Sequence, residues 1–107
     1  MPCISNADWS EQDITLEMTY QVFHFIDWRQ TRWIAKHPDD YCELNPILGK
    51  HPSTTEVDLY FIGTALLHPL ITDLLPEKYR PIWQGITIGM SATCVGWNFS
   101  LGIGFDF

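Results

Sequence analysis

In a chain this rich in apolar residues, the polar side chains best placed for chemistry are His24, Asp27, Gln30, Thr31, Glu43, Asn45, His68 and Asn98. Asp27 sits among aromatics in FHFIDWRQTRW. A carboxylate at membrane depth is costly and by default marks a functional site. Its competing role is structural, as an ion-pair partner of Arg29 or Arg32 close to a membrane interface. His24 and His68 fall on separate helical segments, and Asp27, Glu43 or Asp58 could complete a divalent-metal set with them. No HExxH and no histidines at i, i+4 accompany them, so packing histidines and no metal site are expected. Glu43-x-Asn45-Pro46 reads as a turn device in which side-chain oxygens cap nearby backbone amides. No nucleophile elbow, phosphate loop or triad order is present, so no catalytic residue or cofactor is assigned.

The elements that must hold these groups read as an all-α fold of three helices. Residues 82–105 carry no charged side chain, and about 20 helical residues suffice to cross the roughly 30 Å hydrocarbon layer. A first helix is expected over about 11–36, with Ser10 and Asp13 at its start and His37-Pro38 at its stop. Along it Met18, Val22, Phe25 and Ile26 form an apolar stripe, and Glu17, Tyr20, His24, Asp27 and Thr31 a polar one. Trp28 and Trp33 beside Arg29, Arg32 and Lys36 resemble an interfacial belt. The stretch 37–54 is a connector dense in Pro, Gly, Asn and Asp. A second helix spans about 56–75, with a kink expected at Pro69. A third spans about 82–104, and the short link before it makes the last two helices an antiparallel hairpin.

Gly85, Gly89, Ala92, Gly96 and Ser100 share one face of the third helix. In lipid, small residues permit close backbone approach, so this face is expected to be the helix-packing surface. Residues 97–107 also alternate large apolar with small or polar, the period of a strand. Without alternation upstream this gives at most a short extended tail. The whole, residues 1–107, is read as one small transmembrane helical bundle.

Composition narrows the function classes. The net charge of -7 and the lack of a basic patch exclude phosphate-driven nucleic-acid binding. Cys3, Cys42 and Cys94 are odd in number and without CxxC spacing, so neither a disulfide framework nor a zinc knuckle is expected. Residues 1–13 are acidic and lack the basic-then-apolar order of a cleavable signal. The basic residues flanking 37–54 place that connector in the cytoplasm and the N-terminus outside.

Taken together, Asp27-Trp28-Arg29-Gln30-Thr31, Glu43-Leu44-Asn45-Pro46-Ile47-Leu48-Gly49, His51-Pro52-Ser53, Tyr60-Phe61, Leu75-Pro76, Tyr79-Arg80, Trp83-Gln84, Thr87-Ile88-Gly89 and Asn98 carry a resemblance. Over about residues 15–107 the chain resembles small uncharacterised membrane proteins encoded by tailed bacteriophages and prophages. The resemblance implies a multi-pass protein of the bacterial inner membrane. It carries over no catalytic residues. The expected partners are membrane lipid and either a second copy of the chain or a host membrane protein. Lysis of holin type, superinfection exclusion and a virion membrane component are the competing roles. The rival classes are a soluble acidic α-helical binding or inhibitor protein and, more distantly, a membrane enzyme using Asp27, Glu43 and His68.

Overall fold

The computed structural model describes residues 9–107 and has three long helices: α1 (Glu11–Ala35), α2 (Thr54–Leu74) and α3 (Arg80–Ser100). Cys3 lies outside the described residues. Ser10 and Ser53 start α1 and α2 with reciprocal capping boxes to Asp13 and Glu56, satisfying amide groups that a helix start leaves unbonded. A short 3-10 turn (Glu77–Tyr79) joins α2 to α3, and Pro81 occupies the first turn of α3, where its missing N–H costs nothing.

Helix α1 is central and packs on both of the others. Contacts such as Glu17 with His68 and Trp28 with Asp58 run α1 antiparallel to α2. Contacts of Asp13 with Gln84 and Gln30 with Asn98 run α1 parallel to α3. The expected hairpin of α2 and α3 is present, tied by His68 to Thr87 and Trp83 to Thr72, but its contacts are few beside those of α1.

Two local expectations are corrected. Helix α3 ends at Ser100 rather than near 104, because Gly102 adopts φ +78 and turns the chain. Residues 103–107 then run as an irregular tail, and no strand occurs among the described residues. Helix α2 runs on through Pro69. The carbonyl that Pro69 leaves without its helical donor is that of Ala65, and Gln21 Nε2 supplies the hydrogen bond at 3.0 Å. Finally, the small face of α3 does not pack within the chain. A Cβ built on Gly85, Gly89 or Gly96 meets nothing within 4 Å, and Ser100 is exposed. The inward face of α3 is instead Arg80, Gln84, Ser91, Val95 and Asn98.

Gly104 is the glycine that a close approach requires. A Cβ there would stand 2.9 Å from Trp33 Nε1. Gly104→Ala is therefore expected to lift the tail off Trp33, whereas Gly89→Leu should leave the folding of the single chain intact. Unfolding midpoints of the two variants check this.

The tail is clamped by charge. Asp106 accepts from Arg32 Nε at 2.8 Å and Lys36 Nζ at 2.9 Å, and its amide donates to the Arg29 carbonyl. Arg32 also grips both oxygens of Asp58 at the start of α2. Lys36 first and Arg32 second hold the Asp106 carboxyl below its usual range. A depressed carboxyl stabilises the docked tail above the unfolded aspartate value of about 4 and loses that contribution as pH falls through its lower folded value. A fluorine label on Phe107 should report a docked tail at neutral pH and a released one well below pH 4.

Candidate functional site

The polar stripe of α1 is the face that turns inward. Asp13, Glu17, His24, Gln30 and Thr31 are buried, facing His68 and Thr72 of α2 and Arg80, Gln84, Ser91 and Asn98 of α3. The apolar stripe faces out, with Met18 64% and Val22 59% exposed, as are Leu66 at 65% and Met90 at 65%. A polar group removed from water must find partners or lose several kcal/mol, so an interior of this kind has to be internally complete.

Much of it is. The Glu17 carboxylate receives His68 Nδ1 at 2.7 Å, Thr72 Oγ1 at 3.1 Å, and Gln84 and Gln21 Nε2 at 3.2 Å. His68 lies between rings, with centroids 3.5 Å from Tyr20 and 4.8 Å from Trp83, and its Nε2 is 2.7 Å from the Thr87 hydroxyl. One end of this core is closed by Arg80. Its Nη1 donates to Asp13 at 3.0 Å, and its Nε donates to the Thr72 and Leu75 carbonyls that end α2. These groups are engaged as structure. Glu17 and Asp13, read from the sequence as a stripe member and a cap, and Arg80 and Gln84 were not among the expected site residues. The signal was there in phase: positions 80, 84, 87, 91 and 98 are polar at helical spacing.

The predicted residues divide into separate places. Gln30 and Asn98 hydrogen-bond to each other at 3.1 Å and tie α1 to α3. His24 and His68 do not meet as ligands, because the Tyr20 ring stacks against both. His24 instead lies 3.3 Å from the Tyr20 hydroxyl through Nδ1 and 3.1 Å from the Phe61 carbonyl through Nε2. No three His, Cys, Asp or Glu side chains converge as a metal set among the described residues. Glu43 and Asn45 do organise the connector: Glu43 Oε1 accepts from the Leu44 and Asn45 amides, and Asn45 Oδ1 from the Ile47 amide.

Asp27 does not form the expected ion pair with Arg29 or Arg32. Arg32 is committed to Asp58 and Asp106, and the Arg29 guanidinium lies over the Trp28 ring at 3.9 Å. Asp27 accepts only the Thr31 hydroxyl, at 3.3 Å. It lines a cavity of about 200 Å³ with Tyr20, His24, Asn45, Tyr60 and Ser91. A second cavity of about 390 Å³, lined by Ile34, Tyr41, Leu44, Trp97 and Ile103, shares Cys94 with the first. Glu43 belongs to this second wall, and its Oε2 is buried without a hydrogen-bond partner.

Among the described residues, only the helix Thr54–Leu74 meets the length and mean hydropathy of a membrane span, at 1.2. The uncharged segment 82–105, the strongest span candidate in the sequence, does not fold as one continuous helix. No protein-family model, curated protein or solved structure matches the chain.

Proposed function

We propose that this chain is a small three-pass integral membrane protein of phage type, acting by association in the bacterial envelope rather than by catalysis. The observation that carries the reading is the inversion of polarity: carboxylates, amides and an arginine inside, leucines, isoleucines and methionines outside. In water such an exterior forfeits about 25 cal/mol for each Å² of apolar surface left wet. In hydrocarbon the same surface is solvated and the polar stripes have nowhere better to go. The 21-residue helices α2 and α3 are about 31 Å long, close to the thickness of the hydrocarbon layer. Trp28, Trp33, Arg32 and Lys36 gather at one end of α1, as at an interfacial belt.

Within this reading, the open small-residue face of α3 is where a second membrane helix would dock, from another copy or a host protein. That suits superinfection exclusion or self-assembly better than a soluble role. A second reading, a water-soluble acidic helical binding protein, draws on the single span-like helix. Alkaline carbonate washing of bacterial membranes separates the two. Retention in the pellet is expected, and recovery as a detergent-free monomer rejects the membrane reading.

A further inference from the structure

The two cavities that share Cys94 bring together features that the bundle itself does not use. Among the described residues Asp27 has one hydrogen bond and no cation, although Arg29 and Arg32 follow it on the same helix. Glu43 keeps one carboxylate oxygen buried and unbonded. Asp27 lines the smaller cavity and Glu43 the larger, and Cys94 borders both. Elsewhere in this interior a carboxylate collects several donors, as Glu17 does. A carboxylate with a single hydrogen bond and another with one buried, unbonded oxygen carry an electrostatic cost that a bound cation would remove.

The walls indicate which cation. Tyr20, Tyr60 and Phe61 border the smaller cavity, and aromatic faces attract organic ammonium groups. Ile34, Leu44, Trp97 and Ile103 give the larger cavity, which opens at the surface, an apolar wall suited to a hydrocarbon body. At roughly 30 Å³ per water, the smaller space alone takes about six or seven waters, more than a bare metal ion needs. We propose that the paired cavities between α1, α3 and the connector form a binding site for a small lipophilic amine in its protonated form. Its ammonium group sits between Asp27 and Glu43, and its apolar body lies against Trp97 and Ile103. The site exists whether the exterior faces lipid or water, so it does not rest on the membrane reading.

The test uses the purified full chain with benzylammonium, and benzyl alcohol as the neutral analogue of similar size. Two readouts are taken: the thermal unfolding midpoint, and the rate of Cys94 alkylation in a Cys3→Ser, Cys42→Ser background. Benzylammonium should raise the midpoint saturably and slow Cys94 alkylation, with benzyl alcohol about tenfold weaker or more. Asp27→Asn and Glu43→Gln should each weaken the benzylammonium effect by a similar factor, while retaining the Thr31 and connector hydrogen bonds. Equal effects of the amine and the alcohol would overturn the proposal. So would unprotected Cys94, binding that survives the Asp27→Asn, Glu43→Gln pair, or full protection by calcium chloride or sodium chloride alone. The comparison of amine with alcohol on the unmodified chain decides even if a variant fails to fold.

Discussion

Arg80→Met is expected to destabilise the bundle by about 3–5 kcal/mol, the cost typical of removing one partner from a buried ion pair. Arg80 is 1% exposed and Asp13 2% exposed, so the abandoned carboxylate would have no water to turn to. The loss extends beyond charge. Arg80 Nε also donates to the Thr72 and Leu75 carbonyls at the end of α2. Arg80→Lys retains the charge but not the planar fork, and should lose about half as much. Pairing Asp13→Leu with Arg80→Met removes both charges and should recover about 2 kcal/mol relative to Arg80→Met alone, less the lost capping of Ser10. Denaturant or SDS titration of the four proteins measures all of these. A native-like midpoint for Arg80→Met would mean that the pair is solvated and the interior less closed than its geometry indicates.

That the interior turns on Arg80 was hard to read in the sequence, and the reason is physical. Helix existence was legible from caps and stops: Ser10, Ser53, Pro76 and Pro81 mark boundaries through local hydrogen bonding alone. The two stripes of α1 were legible from their spacing, but periodicity does not say which face points inward. That depends on whether the partner helices offer polar or apolar surfaces, information that lies in α2 and α3. For the same reason the stripe from Gly85 to Ser100 read as a contact face, when the polar phase through Gln84, Ser91 and Asn98 is the one α1 meets. That Gln21 serves the carbonyl freed by Pro69 was not legible, because the two are distant in sequence. Asp27 read as a partner of the nearby arginines. Arg32 is drawn away by Asp58 and Asp106, which only the fold brings to it.

Lysine placed at mid-helix on the outer face should distinguish the two environments more sharply than any interior substitution. Val22, Leu66 and Met90 lie near the middles of α1, α2 and α3, and all are more than half exposed. In water, a lysine at such a position changes stability by no more than about 0.5 kcal/mol, because nothing packs there to be lost. In a bilayer each would stand in hydrocarbon, at an insertion cost of about 2.5–3.5 kcal/mol per residue. Val22→Lys, Leu66→Lys and Met90→Lys are therefore each expected to move the chain from the carbonate-resistant fraction toward degradation or the soluble fraction. A lysine at a helix end, as in Leu74→Lys, should be tolerated because the side chain can reach the interface. The order matters as much as the size: the penalty should peak at the helix centres and fall toward both ends on all three helices. A flat profile near zero would place the outer face in water. Leu66, Met90 and their neighbours would then be the docking surface of a soluble binding protein.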